Sequence, residues 1–280
     1  MHGFCSDIDW NEAWKLAMRG NREAAGVTGC AQFYVSVEEA RKYDARSREE
    51  RRARTSQMIR GMDIRPESRV LDIGAGPGTL ALPLAGLAAH VTAVEPSPGM
   101  MAVLAEHIRD GNIGNIRCVQ KLWEDVDVGR DLEAPYDVVI ASFSLGMDDL
   151  RAALAKMDAV SSGYVYIYWF AGLPFWERNL AALWETLHGK PYAARPQADC
   201  VFNVLYGMGI YPNVEIYSDL HVNRYDSLED AVRDQKKSFS VSSAGQETAL
   251  REFLRGRLRA EDGKLVLKGA SKYAKLWWKK

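Results

Sequence analysis

The sequence predicts an α/β fold with a doubly wound, mostly parallel sheet, preceded by helices and carrying a helical insertion. Between residues 69 and 170, short apolar stretches alternate with amphipathic ones, which is the pattern of repeated strand–helix units. The first apolar stretch runs directly into a glycine-rich turn. The 280 residues contain 47% hydrophobic and 26% charged side chains, enough apolar material to cover both faces of a sheet.

The N-terminal part, residues 1–62, is predicted to be helical and to form a lid beside the main domain. Trp10–Met18 is amphipathic, and Val37–Met62 is rich in Arg, Glu and Ala with apolar residues at helical spacing. The aromatic residues of this predicted lid are Trp10, Trp14, Phe33 and Tyr34.

The main domain is predicted to span residues 63–280 and to open with alternating strands and helices. The predicted strands are Arg69–Ile73, His90–Val94, Ile116–Val119, Tyr136–Ser142 and Tyr164–Trp169, and the helices between them are Thr79–Leu87, Pro98–Asp110 and Asp148–Ala159. Right-handed crossovers of this kind place all five strands parallel in one sheet.

Beyond residue 170 the pattern is looser. A helical insertion is expected at about residues 172–212, containing Phe175–Leu187 and Ala198–Met208. The later elements are a strand at Val214–Arg224, helices at Ser227–Phe239 and Gly245–Leu258, and closing strands at Lys264–Leu267 and Lys272–Trp278.

Net charge and the distribution of uncharged residues exclude some classes of function. A net charge of −1 argues against a nucleic-acid partner. The uncharged run Ala159–Trp176 is interrupted by glycine and proline, so it is interpreted as a buried strand and a loop, without a membrane span.

The N-terminus lacks the pattern of a signal peptide, and the protein is expected to be cytoplasmic. Four scattered cysteines, Cys5, Cys30, Cys118 and Cys200, predict neither a metal site nor a disulfide framework.

The segment VLDIGAGPGT, residues 70–79, carries the main chemical signal. Glycines after a parallel strand let a ligand approach the backbone at the edge where open α/β sheets bind ligands. Asp72 stands two residues before the first glycine. At ~4 Å from a pyrophosphate its charge would cost about 1 kcal/mol in water and more in a dry pocket, whereas it would favour the ammonium and sulfonium of S-adenosylmethionine.

Two further residues bear on the choice of cofactor. Thr79 occupies the place of the third glycine in the dinucleotide pattern G-x-G-x-x-G. Glu95 ends the second strand, where a carboxylate can accept both hydroxyls of a ribose. These features favour S-adenosylmethionine, and a nicotinamide-dependent dehydrogenase is the weaker alternative.

VLDIGAGPGT, followed by VTAVEPSPGMM and YDVVIAS, resembles the first, second and fourth motifs of class I S-adenosylmethionine-dependent methyltransferases. The resemblance extends over roughly residues 40–168 and is closest to the small-molecule branch that includes ubiquinone and menaquinone methyltransferases. It implies a Rossmann-like, seven-stranded sheet with one antiparallel strand near an edge. It also implies S-adenosylmethionine as cofactor and S-adenosylhomocysteine as product.

The resemblance also implies roles for single residues. Gly74, Ala75, Gly76 and Gly78 would line the methionine part of the cofactor, with Asp72 at its amino end and Tyr43 at its carboxylate. Glu95 would bind the ribose, and the adenine would lie near Pro96, Met100, Leu122, Trp123 and Glu124. Leu122 departs from the family, which often has Asp there. Ser142, Phe143 and Ser144 would face the sulfonium and the acceptor.

The methyl acceptor is predicted to be a small molecule. Trp169, Phe170 and Trp176 follow the fifth strand and offer walls for an apolar or flat acceptor, although such residues equally suit the core beneath the inserted helices. Methyl transfer needs a base only when the acceptor must lose a proton. No catalytic residue is therefore assigned, and His188 and His221 are the histidines to examine. A protein methyltransferase and a non-catalytic sensor remain the alternatives.

Overall fold

The computed structural model of the protein describes residues 8–25 and 34–280, with the backbone alone at residue 25 and at residues 46–52. Phe33 of the predicted lid and two of the cysteines, Cys5 and Cys30, lie outside the described residues.

The described chain alternates helices and strands in the order that the sequence predicts. The helices are α1 (Trp10–Ala25), α2 (Val37–Arg60), α3 (Ala81–Ala85), α4 (Pro98–Asp110), α5 (Val128–Asp131), α6 (Leu150–Val160), α7 (Phe175–His188), α8 (Ala198–Gly207), α9 (Leu228–Gln235) and α10 (Ala244–Arg257). The strands are β1 (Arg69–Ile73), β2 (His90–Val94), β3 (Ile116–Val119), β4 (Tyr136–Ser142), β5 (Ser161–Phe170), β6 (Asn213–Tyr225), β7 (Arg259–Glu261) and β8 (Lys264–Lys279).

The strands form one sheet in the order β3-β2-β1-β4-β5-β8-β6. Strands β1 to β5 are parallel to their neighbours, and β8 lies antiparallel between β5 and β6. The sheet has eight strands rather than the expected seven, because the short β7 pairs with β8 off this path. The two predicted closing strands are one continuous strand, Lys264–Lys279.

Among the described residues, three large apolar cores hold the elements together, and a small fourth cluster joins α2 to α4. One face of the sheet packs α1, α6 and α8, and the other face packs α3 and the end of α2. The central strands are buried on both faces, as expected for parallel strands covered by helices. A third core joins α7, α9 and α10 to the ends of β6 and β8. The predicted insertion at 172–212 is thus divided, since α7 packs in the third core and α8 packs in the first.

Helix α1 is part of the first core. Trp14 is fully buried, its Nε1 donates to the Met147 carbonyl at 2.8 Å, and its ring lies 5.8 Å from that of Trp169. The predicted lid residues Trp14 and Tyr34 therefore have different surroundings, because Tyr34 packs beside α4. Among the described residues, no helix combines the length and apolarity needed to cross a bilayer.

Candidate functional site

The glycine-rich turn lies at the C-terminal end of β1 and is fixed to the neighbouring strand. The backbone N–H groups of Gly74 and Ala75 both donate to the Val94 carbonyl, at 2.7 and 3.1 Å. Gly74, Gly76 and Gly78 have φ angles of +75°, +57° and +93°, a region that side chains with a Cβ rarely adopt. The turn therefore requires its glycines for their backbone geometry.

The three glycines differ in what surrounds them. A Cβ at Gly74 would lie 2.2 Å from the Ser144 Cβ, and one at Gly78 would lie 2.6 Å from Leu104. At Gly76, no described atom lies within 4 Å of the corresponding point. Gly76 therefore borders open space, where a ligand can lie against the backbone.

Asp72 places a carboxylate without a full set of partners beside this space. Its side chain is 2% exposed, and among the described residues its Oδ2 has no hydrogen-bond partner. The pKa of Asp72 is raised to about 7, mainly by burial and in addition by the nearby charge of Glu95, while a backbone hydrogen bond from Ala81 opposes the shift. A buried carboxylate of this kind lacks a cation, which an ammonium group would supply.

Glu95 holds the turn in place. Its Oε2 accepts a hydrogen bond from the Gly76 N–H at 2.9 Å, and its Oε1 accepts one from the Ser97 N–H at 2.8 Å. Burial raises the pKa of Glu95, while these two bonds lower it. Carboxylate oxygens have further lone pairs, so the ribose role expected for Glu95 is compatible with this bracing role, which the sequence analysis missed.

The start of α4 lies next to Glu95 and is covered by the segment before α2. The Ser97 side chain caps α4 by accepting from the Met100 N–H at 3.3 Å, and it donates to the Tyr34 carbonyl at 2.6 Å. Met100 is 4% exposed and packs with Ala40 and Tyr43. Met100 and Tyr43, which are distant in the sequence, thus lie in one cluster. Pro96 lies between the end of β2 and the start of α4.

The exit of β3 differs from the expected adenine clasp. Trp123 is 3% exposed, its ring lies in the first core, and its Nε1 donates to the Ala153 carbonyl at 3.2 Å. The Lys156 ammonium binds the carbonyls of Trp123 and Glu124 and tightens this turn. The Trp123 ring is therefore turned into the core, whereas the side chains of Leu122 and Glu124 are exposed.

The exit of β4 carries an unusual backbone conformation. Phe143 has a φ of +54°, and its N–H donates to the Tyr168 carbonyl at 2.9 Å. A residue other than glycine in this region stores backbone strain, a feature that concentrates at functional sites. The neighbouring Ser142 is half-buried at the end of β4, and the Ser144 hydroxyl donates to the Ile73 carbonyl at 2.5 Å.

Phe143 belongs to a closed circuit of contacting side chains. The aromatic centroids of Phe143 and Phe170 are 4.9 Å apart, Trp176 follows at 5.4 Å, and the His221 ring lies 4.9 Å from Trp176. Two charged residues, Asp219 and Arg54, close the circuit. His221 lies 3.9 Å from Asp219, Asp219 lies 2.5 Å from Arg54, and the Arg54 guanidinium lies 5.0 Å from the centroid of the Phe143 ring. We call these six residues the Phe143 ring.

Of the four predicted acceptor-site residues, Phe170 and Trp176 belong to the Phe143 ring, whereas Ser144 and Trp169 do not. Trp169 is 2% exposed, and its Nε1 donates to the Pro196 carbonyl, so it is a core residue as the alternative interpretation held. His188 is also structural, since its Nε2 bonds with the Phe239 carbonyl at 3.0 Å. Arg54 and Asp219 were missed, because the sequence does not show that α2 and β6 meet.

Comparison with known proteins agrees with this geometry. The sequence profile described as "Methyltransferase domain" matches residues 70–162. An uncharacterized protein of Haemophilus influenzae is 28% identical over 227 residues, which cover 81% of this chain and 81% of that protein. The 23S rRNA (uracil(1939)-C(5))-methyltransferase RlmD of Edwardsiella ictaluri is 39% identical over 71 residues, 25% of this chain but only 16% of that enzyme.

The solved structure of the YcgJ protein from Bacillus subtilis has the same fold. It superposes with a TM-score of 0.51 at 16% identity, over 79% of this chain and 97% of that chain. Taken together, the match of residues 70–162 to a methyltransferase-domain profile, the sheet order and the glycine-rich turn show that the protein is an S-adenosylmethionine-dependent methyltransferase.

Proposed function

We propose that the enzyme transfers the methyl group of S-adenosylmethionine to a small, flat molecule held against the Phe143 ring. The observation that carries this proposal is the closed circuit of six side chains at the exit of β4, four of which are aromatic rings or imidazole. Trp176 is 38% exposed although its ring is held between Phe170 and His221, so it offers a fixed flat surface to a ligand.

For the cofactor, we propose the assignment that the family resemblance implies, with one change. Asp72 and Gly76 bind the methionine part, Glu95 binds the ribose, and Leu122 and Glu124 flank the adenine without the Trp123 ring. The orphaned Asp72 oxygen and the open space at Gly76 fit such a ligand. When bound, S-adenosylmethionine supplies a methyl group on a sulfonium, an activated leaving group.

The chain's own contribution is then to position the acceptor and to exclude water from it. Phe143, held in its strained conformation, and Phe170 shape the floor on which an acceptor lies in line with the methyl group. Arg54 from α2 covers this floor and, through Asp219, ties α2 to β6. His221 lies next to Asp219 and is the residue we propose to receive a proton when the acceptor is a hydroxyl or an amine.

The likeness to ubiquinone and menaquinone methyltransferases supports a ring-shaped acceptor, whereas the short match to an rRNA methyltransferase supports RNA. These two acceptors, a protein acceptor and a sensor without turnover are separated by one experiment. Radiolabelled S-adenosylmethionine is incubated with the enzyme and with separate small-molecule, protein and RNA fractions of a cell extract. We expect label in the small-molecule fraction. Label in macromolecules alone, or cofactor binding without any transfer, contradicts the proposal.

A variant pair tests the role of the Phe143 ring. Trp176→Ala removes the flat wall, so we expect kcat/KM for the labelled product to fall at least tenfold, with the calorimetric affinity for S-adenosylhomocysteine unchanged. Tyr211→Ala is the matched control, because Tyr211 is 70% exposed and outside the ring. Equal activity of the two variants would remove Trp176 from the acceptor site.

A further inference from the structure

Strand β6 forms one edge of the sheet and is open on its outer side. It is the last strand in the sheet order, and among the described residues no strand pairs with its outer edge. Natural proteins protect such edges with lysine, proline, bulges or a covering element. Residues 213–223 contain neither lysine nor proline, and their pairing with β8 has no register shift. The edge is therefore able to accept another strand.

One face of this edge strand carries a row of apolar side chains. Successive side chains of a strand point to opposite faces, so the even-numbered residues share one face. The apolar ones, which we call the β6 stripe, are Val214, Ile216, Leu220 and Val222, and the first three of them are exposed. Val214 and Ile216 also line a groove of about 500 Å³ between α8 and the strands β6 and β8. Contiguous exposed apolar surface of this kind is typical of an interface.

The free backbone groups of β6 belong to the same even-numbered residues. The N–H of Ala171, which follows β5, donates to the Lys272 carbonyl at 3.0 Å, so Lys272 directs its backbone groups toward the β5 side. The bonding direction alternates along a strand between two antiparallel neighbours, so the next residue, Tyr273, bonds to its partner Tyr217 in β6. Odd-numbered residues of β6 therefore bond to β8, and residues 214–222 of even number present their N–H and C=O groups outward.

A second copy of β6 fits this edge in an antiparallel pairing centred on Ser218. The outward-facing residues then meet apolar against apolar on both sides of the central serine. The opposed pairs are Ser218 with itself, Ile216 with Leu220, and Val214 with Val222. A two-fold interface requires such self-complementarity, because the same patch of both copies must match.

The charged residues on the other face of β6 favour the same register. With Ser218 on the axis, Glu215 of one copy lies opposite His221 of the other, whose ring N–H can donate to the carboxylate. A shift of the centre to Tyr217 places Glu215 opposite Asp219, and a shift to Asp219 places that residue opposite itself. Like charges directly opposite each other destabilise a strand pair, so both neighbouring registers are disfavoured.

We infer that two copies of the enzyme form a symmetric dimer in which their β6 strands pair antiparallel about Ser218. The two sheets then form one continuous sheet, and Leu220 of each copy lies across from Ile216 of the other, at the groove beside α8. Glu215 of the second copy approaches His221, so the Phe143 ring lies next to the interface. The dimer itself does not depend on the acceptor proposed above.

A cysteine on the two-fold axis tests the pairing in the full-length protein. Opposed residues at the hydrogen-bonded positions of an antiparallel pair have Cα atoms about 5.5 Å apart, within the range of a disulfide. Ser218→Cys should therefore give a disulfide-linked dimer under mild oxidation, seen in non-reducing electrophoresis, above the background set by the cysteines of the wild type. Val214→Cys is the matched control on the same face, because this position lies roughly 26 Å from its own copy across the axis.

An opposed charge pair tests the register. Ile216→Lys and Leu220→Glu should each weaken dimerisation at least tenfold in sedimentation velocity, because each places a charge opposite an apolar side chain of the other copy. An equimolar mixture of the two variants should form dimers again, because the new ammonium and carboxylate then lie opposite each other. Both variants should keep the wild-type affinity for S-adenosylhomocysteine, since the glycine-rich turn follows β1 and lies four strands from β6.

Three results would overturn the inference. The first is a wild type that sediments as a monomer, including one that dimerises only after deletion of residues 1–7, which would mean that the chain's own N-terminus covers the β6 stripe. The second is equal cross-linking of Ser218→Cys and Val214→Cys. The third is a dimer that Ile216→Lys leaves intact, which would place the interface elsewhere. Because S-adenosylhomocysteine binding is measured separately, failure here is distinguishable from failure of the methyl-transfer proposal.

Discussion

Positive φ angles at glycine have different consequences at different places in this chain. Gly76 and Gly263 have φ angles of +57° and +74°, and at both positions no described atom lies within 4 Å of a Cβ. Gly76 borders the open space that we propose for the cofactor, whereas Gly263 lies in the turn between β7 and β8. The two positions share the same backbone strain on substitution and differ only in what the added methyl group faces.

This pair gives a matched test of the cofactor site. Gly76→Ala and Gly263→Ala should each lower the free energy of unfolding by about 1–2 kcal/mol, the cost of a left-handed conformation. Only Gly76→Ala should weaken S-adenosylhomocysteine binding, by at least tenfold in titration calorimetry, because its methyl group fills the space against which the ligand lies. Equal affinities in the two variants would show that the ligand does not contact Gly76.

Asp72 should make both stability and binding depend on pH. Its pKa is raised to about 7 by burial and by Glu95, whereas in the unfolded chain it is close to 4. Between these values the folded state retains a proton that the unfolded state has lost, so stability falls as the pH rises. We expect the free energy of unfolding of the ligand-free protein to fall by about 1 kcal/mol per pH unit from pH 4 to 7, relative to Asp72→Asn.

The ligand should reverse this trend, because its ammonium favours the ionised carboxylate. In calorimetry, the affinity of the wild type for S-adenosylhomocysteine should therefore rise from pH 6 to pH 8, and that of Asp72→Asn should not. Denaturation curves that shift with pH equally in both proteins would assign the effect to another group. Glu95 is the first alternative, since burial raises its pKa in the same direction.

At the scale of elements, the sequence predicts β1 to β5 well, because each is a short apolar stretch bounded by turn residues. It misses the continuity of β8, since Gly269 and Ala270 in its middle have the composition of a break. It also misplaces Trp123 and Trp169. The end of a strand can be located from composition, but the direction of a side chain in the following turn depends on contacts with Ala153 and Pro196, which are distant in sequence.

Helix α1, part of the predicted lid region, also belongs to the core. Trp14 on its amphipathic face is buried in the first core beside Trp169. Trp14→Ala should therefore lower the free energy of unfolding by about 3–5 kcal/mol. Leu16→Ala is the control on the same helix, since Leu16 is 65% exposed, and should change it by less than about 0.5 kcal/mol. A small effect of Trp14→Ala in urea denaturation would mean that α1 contributes little to the stability of the core.

At the scale of the whole molecule, strands β6 and β8 extend past the end of the neighbouring strand β5. Strand β5 ends at Phe170, opposite Tyr273, while β6 and β8 continue to pair from Ser218–Lys272 to Tyr225–Leu265. At ~3.3 Å per residue this two-stranded extension rises roughly 25 Å above the sheet edge. It supports the third core, and that core in turn supports the first turn of α7, where Trp176 is part of the Phe143 ring.

The contact that joins this extension to α7 is unusually close. A Cβ at Gly269 in β8 would lie 2.1 Å from the ring of Phe175, which is 9% exposed in the third core. Gly269→Ala should therefore displace Phe175 and lower the free energy of unfolding by about 1–3 kcal/mol, and Phe175→Ala should lower it by about 3–5 kcal/mol. Gly256→Ala, where no described atom lies within 4 Å, is the control and should not destabilise.

The double variant distinguishes a rigid extension from a compliant one. Once Phe175→Ala has removed the ring, the methyl group of Gly269→Ala has space, so the double variant should be more stable than the sum of the two single effects predicts, by at least about 1 kcal/mol. Affinity for S-adenosylhomocysteine should stay at the wild-type value throughout, because the glycine-rich turn packs in the second core and not in the third. Additive effects in chemical denaturation would mean that the cost of Gly269→Ala does not arise from the Phe175 ring, and the contact between β8 and α7 would then not be what positions Trp176.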